Sequence, residues 1–156
     1  MSLSLISQSW KKFVTSRCRS AGSASCVFCS GPGSVVLDFD RILAHYRLPG
    51  VGPDCLVFEK DGTLHVGVVE LKGRRYRLEH AIAQLEAGQA LATKILSDLG
   101  VKNYKIYLII VAPSHPGSAL KARRARQRST PAKRSAIITA RCGDTFSKAR
   151  RPRLAR

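Results

Sequence analysis

Asp54, Glu70 and Lys72 stand at the ends of two otherwise apolar runs, Cys55 to Phe58 and Leu64 to Val69, where charge is poorly solvated. Two carboxylates about 4 Å apart repel by roughly 4 kcal/mol at an effective dielectric of about 20. Lys72 offsets part of that repulsion, and a hard divalent cation offsets more. Mg²⁺ takes oxygen ligands in octahedral geometry and keeps several waters, which suits Asp54, Glu70 and the Leu71 carbonyl as ligands. Such an ion beside an ammonium group prepares a water for attack on a phosphodiester. Mn²⁺ can substitute for it. These residue types therefore point to metal-assisted hydrolysis, with Lys72 orienting or activating the water.

The two runs must bring the three groups to one face of a sheet. Side chains alternate along a strand, so Glu70 and Lys72 share a face and Leu71 takes the other. The place of Asp54 depends on the turn at Lys60, Asp61 and Gly62, because a slip of one residue reverses a strand's faces. A two-residue loop pairs Asp54 with Val69 and puts it on the wrong side. A three-residue loop, closed by Gly62 in the left-handed region, pairs Phe58 with Leu64, Leu56 with Val66 and Asp54 with Val68. The second register gathers Leu56, Phe58, Leu64, Val66 and Val68 on one face with all three charged groups, and leaves Glu59, Thr63, Val57 and His65 on the other. It segregates apolar from polar side chains better, and it is the expected one.

Pro53-Asp54 followed by Glu70-Leu71-Lys72 resembles the PD-(D/E)xK signature of the restriction-endonuclease-like nucleases. The resemblance covers about residues 34 to 112. It implies an α/β fold, with a mixed sheet containing a hairpin and flanked by helices. It also implies metal ligation by Asp54 and Glu70 and a catalytic role for Lys72. Many members carry a glutamate on the helix before the hairpin. Here only aspartates are available, and Asp40 is favoured over Asp38 as the helix acid. Several branches place a glutamine in the next helix, which points to Gln84. A variant adds a tyrosine four residues later, where this chain has Gly88, so that subgroup is not indicated.

A phosphodiester substrate also needs cations around it. Arg74, Arg75 and Arg77 follow Lys72 after Gly73 and could grip backbone phosphates, with Tyr76 among them to stack on a base. The chain has 156 residues and a net charge of +17, and residues 121–156 hold 13 Lys and Arg against Asp144 alone. That asymmetry points to a polyanion, with Lys121, Arg123, Arg124 and Arg126 as further contacts. Nucleic acid, DNA before RNA, is preferred to membrane because no apolar span of about 18 residues is present. A homodimer is compatible with this reading. A basic nucleic-acid-binding protein without activity is the alternative, but such a protein has no need of acids beside its phosphate-contacting surface.

The remaining segments supply the scaffold. Residues 3–14 show helical spacing of Leu3, Ile6, Trp10, Phe13 and Val14, and Ser16 to Ser34 reads as a Ser/Gly loop. Ser34 to Leu48 reads as a helix capped by Ser34, with Val36, Phe39, Leu43 and Tyr46 as its buried stripe. Leu78 to Leu99 is the clearest helix, stopped by Gly100. Tyr104 to Ala112 reads as a buried strand parallel to the Glu70 strand, and Ala136 to Ala140 adds a short one. Ser114 to Ser135 is expected to be a flexible loop, and the segment beyond Arg141 a disordered basic tail. The organisation is thus residues 1–33, an N-terminal helix and loop; 34–140, the nuclease core; and 141–156, the tail. Five cysteines, an odd number, suit reduced thiols. Cys26 and Cys29 have the spacing of half a metal site with Cys18 nearby, but a fourth ligand is not evident. With no secretory leader visible at Met1 to Trp10, an intracellular protein is expected.

Overall fold

Val35, Val36 and Leu37 are extended rather than helical. They belong to a strand, Val35–Asp38, that pairs antiparallel with the Cys55 run. Two adjacent β-branched residues favour that pleated setting, which buries Val35 and Leu37 on one face and Val36 on the other. The helix expected from Ser34 therefore starts only at Phe39. Asp38 caps it by accepting the Arg41 N–H at 3.0 Å, while Ser34 instead donates to the Gly31 carbonyl.

The computed structural model describes residues 3–19, 26–117, 119–121, 135 and 137–151. In chain order these form α1 (Leu3–Ser9), a 3-10 turn (Lys11–Phe13), β1 (Val14–Thr15), β2 (Cys18–Arg19), β3 (Val27–Phe28) and β4 (Val35–Asp38). Then come α2 (Phe39–Tyr46), β5 (Cys55–Asp61), β6 (Thr63–Leu71), α3 (Leu78–Asp98), β7 (Tyr104–Val111), β8 (Ile137–Ala140) and α4 (Phe146–Arg150). The N-terminal helix is shorter than expected, and the Ser/Gly loop holds the β2–β3 hairpin.

A mixed six-stranded sheet runs in the order β1-β4-β5-β6-β7-β8. It is antiparallel from β1 through β6, and β7 and β8 are added parallel. Helix α3 makes the crossover between the parallel strands β6 and β7, as a parallel connection requires. On one face α1, α2 and α3 bury Ile6, Phe39, Ile42, Leu85 and Ile95 against Leu56, Phe58, Val66 and Val68. On the other, β2, β3 and α4 bury Cys18, Phe28 and Phe146 against Val57, Val69 and Ile109. That second face was expected to be polar around Val57, and it is instead a second core.

The β5–β6 hairpin keeps the expected faces but not the expected register. Asp61 pairs with Thr63, Phe58 with Val66, Leu56 with Val68 and Cys55 with Val69. This is a shift of two residues, which preserves which side chains share a face. Gly62 alone makes the bend, with φ at +67°, a region glycine enters without strain. Lys60 and Asp61 therefore extend the strand instead of entering the turn. Glu59 is also held from outside, because its carboxylate accepts the Gly31 N–H at 3.1 Å and lies 3.7 Å from Arg150.

Two more expectations are overturned on this second face. Cys18 is bonded to Cys55 and Cys26 to Cys142, across Cα separations of 5.7 and 5.0 Å, and Cys29 is the free thiol. Cys18 and Cys26 are thus spent on crosslinks rather than on a metal. The segment after Arg141 is not a disordered tail as far as Arg151, since Phe146 is fully buried and Cys29 and Thr145 form a bridge. Composition alone concealed this, because one aromatic and one cysteine anchor a stretch that is otherwise basic. Arg123, Arg124 and Arg126 lie outside the described residues, as do residues 152–156 and most of the expected loop from Ser114 to Ser135.

Candidate active site

The shifted register sets Asp54 opposite Glu70, one step beyond the last pair of the ladder, closer than the expected position opposite Val68. Pro53 and Asp54 lead into β5, and the Asp54 N–H donates to the Val69 carbonyl at 2.9 Å. The Asp54 carboxylate in turn accepts the Leu71 N–H at 2.6 Å. An extended residue presents its N–H and C=O to the same side, so the Leu71 carbonyl is directed to the Asp54 side of β6.

Glu70 and Lys72 share the α3-facing side. Lys72 Nζ lies 2.6 Å from Glu70 Oε1 and donates to Gln84 Oε1 at 2.5 Å. The Gln84 amide group donates to the Gly52 carbonyl at 3.1 Å. A continuous line therefore runs from the loop before β5, through the buried Gln84 of α3, to the ammonium group and Glu70. Helix α3 can come this near because Gly88, one turn beyond Gln84, lies over Pro53 and Val68, and a Cβ there would overlap both. That close approach explains why the position has no room for a tyrosine.

Burial raises the Glu70 pKa to about 7, with the Asp54 charge adding to the shift and Lys72 opposing it. Asp54 is raised to about 6, first by burial and then by Asp40 and Asp38, against the Leu71 N–H and Lys72. One atom in this cluster has no hydrogen-bond partner: Glu70 Oε2 is buried and unsatisfied. An ionised oxygen in that state is costly, and a cation removes the cost. The donor set is all oxygen, which fits Mg²⁺ or Mn²⁺.

Asp40 lies in the first turn of α2, exposed, with its pKa raised by partial burial and by Asp38. It is near enough to repel both Asp54 and Glu70, whereas Asp38 is engaged as the cap. Among the described residues, however, no three His, Cys, Asp or Glu side chains are placed to hold one ion together. The structure brings together two carboxylates and a backbone carbonyl, with Asp40 at the margin.

Arg74, Arg75 and Arg77 are exposed in the loop that follows Lys72 and Gly73, and Lys121 is exposed as well. Tyr76 is not available as expected. Its ring packs against the core and its hydroxyl lies 2.7 Å from His115 Nδ1. His115 Nε2 faces the Ala140 carbonyl at 2.7 Å. A carbonyl only accepts, so Nε2 carries the hydrogen, and Nδ1 of the neutral ring accepts from Tyr76. This contact ties the arginine-bearing loop to the C-terminal ends of β7 and β8, next to a cleft of about 340 Å³ lined in part by His115, Thr139 and Arg141. Sequence reasoning missed His115, which belongs to no motif and reaches Tyr76 only because β7 lies beside β6.

No family model matches the chain, and no curated protein or solved structure matches it either.

Proposed function

We propose that the protein is a divalent-metal-dependent nuclease of the PD-(D/E)xK kind. The element order of helix, hairpin, helix and strand in α2, β5–β6, α3 and β7 supports a restriction-endonuclease-like core. The observation that carries the reading is the buried, unsatisfied Glu70 Oε2 opposite Asp54, with Lys72 fixed beside it by Gln84.

Asp54, Glu70 and the Leu71 carbonyl would hold the cation, which when bound supplies charge neutralisation and a more acidic water. Gln84 keeps the Lys72 ammonium aimed at the space next to Glu70, where it orients the attacking water and screens charge developing on the phosphate. Arg74, Arg75 and Arg77 hold the flanking phosphates, and the overall charge of +17 draws the strand in. DNA is the favoured substrate and an intracellular setting the favoured one. Asp40 takes a supporting electrostatic part.

The test is cleavage of labelled single-stranded DNA, duplex DNA and RNA with Mg²⁺ or Mn²⁺. Glu70→Ala or Lys72→Ala is expected to lower the cleavage rate by at least about a hundredfold while binding persists. Cutting that survives both substitutions refutes the assignment. The second reading, binding without cleavage, is favoured by the lack of a third converging acid among the described residues, and unchanged binding with no cutting under any metal would establish it.

A further inference from the structure

The strongest feature outside the acidic site is an aromatic and basic groove at the far end of α2. The stripe expected to bury Tyr46 does not do so. Phe39 and Ile42 are buried, but the helix then clears the core and Tyr46 is 52% exposed. Around it the rings form a cluster: Trp10 lies 6.2 Å from Tyr46, Phe13 6.0 Å and His45 4.9 Å, between centroids. The 3-10 turn brings up Lys11 and Lys12, both exposed. Phe13, His45, Tyr46 and the two lysines, with Gln8 and Ser9, line a groove of about 540 Å³ whose lining carries two ammonium groups and no carboxylate.

We propose that this groove takes a base of single-stranded nucleic acid, which stacks on Tyr46 while Lys11 and Lys12 hold the adjoining phosphates. The chemistry is that of a single-strand binding platform: a π-face accepts any base, and cations track the backbone. A base paired inside a duplex has no face to offer, so the groove selects unpaired strand. Its position suits the acidic site. Phe39 begins α2 with its N–H on the Asp54 carbonyl, and seven residues of helix at ~1.5 Å each put Tyr46 about 10 Å further along. That is about three nucleotides at ~3.4 Å each. The inference rests on the proposed function for its class of ligand, and it names the substrate as a single strand or frayed end.

Trp10 is the one tryptophan of the chain and it adjoins the groove, so its fluorescence reports occupancy. The full-length protein is titrated in chelator with a short oligodeoxythymidine, its uridine counterpart and a duplex. Quenching by the single strands is expected, and the first two arms distinguish DNA from RNA. Tyr46→Leu, at an exposed position, should weaken single-strand binding about 5- to 150-fold, the equivalent of one lost stack, with duplex binding unchanged. Lys11→Ala with Lys12→Ala should lower the salt slope of single-strand binding by about 1.4.

Unquenched Trp10 at saturation, an equal loss on duplex and single strand, or a change in oligomeric state with Tyr46→Leu would each overturn the proposal; the last would make the groove a protein contact. Because no metal is present, these results are independent of cleavage: stacking without cutting leaves the groove standing and removes only the nuclease.

Discussion

Glu70 sits opposite an acid, beside an amine, with one oxygen unsatisfied, and its stability effect should run opposite to that of an ordinary salt-bridged carboxylate. With the pKa raised to about 7, the folded protein holds a proton that the unfolded chain has already released. Between pH 4.5 and about 7 the native state therefore binds more protons, and stability falls as pH rises. Chemical denaturation in chelator across that range should show this decline, and Glu70→Gln should reduce it to the part that Asp54, raised to about 6, contributes below that pH. A bound divalent ion reverses the sign, because it needs the ionised form. Adding Mg²⁺ at about pH 8 should raise the melting temperature of the wild type and leave Glu70→Gln unmoved, whereas at about pH 5 neither should respond. A wild type insensitive to the ion at both pH values would remove the metal. The residue types were legible in the sequence, since Asp54, Glu70, Lys72 and Gln84 meet as expected. The Gly52 carbonyl and His115 were not, because a backbone acceptor has no sequence signature and a histidine after β7 gains meaning only through strand order.

At the scale of elements, periodicity and apolar run length served for the long segments and failed for the short ones. Helix α3 and strands β7 and β8 fall within a residue or so of their expected bounds. The hairpin parity survived a wrong turn length because a shift of two residues moves no side chain across the sheet. Val35 to Leu37 was misread because β-branched residues next to a capping position fit either a strand end or a helix start, and pairing with β5 decided it. The tail was misread for another reason: charge density hid the anchoring effect of Phe146. This residue is fully buried between Phe28 and Tyr107, and its ring covers the sheet where Gly67 leaves room for it. Phe146→Ala should therefore cost about 3 to 5 kcal/mol in denaturant unfolding. A loss below about 1 kcal/mol would return α4 to the status of a loosely attached basic segment.

For the molecule as a whole, the net charge of +17 favours polyanionic partners, and the fold determines which charges can be removed to test it. Deleting everything after Leu120 would be no clean test, because β8, α4 and Cys142 lie beyond that point and close the second core. The same crosslinks replace the reduced thiols that the odd cysteine count led one to expect. Among the described residues no helix is long and apolar enough to cross a membrane. The arginines after Lys72 are better targets, since Arg74, Arg75 and Arg77 are exposed and outside both cores. Each phosphate they neutralise releases a counterion, worth about 0.7 in the slope of log affinity against log salt on a single strand and about 0.9 on a duplex. Replacing all three by alanine should lower that slope by roughly 2 on single strands and nearly 3 on duplex, measured by titration at several salt concentrations. Lost affinity with an unchanged slope would mean that they act through the loop's shape, held by Tyr76 and His115. If both affinity and slope were unchanged, the phosphate contacts would have to lie elsewhere on this strongly cationic surface.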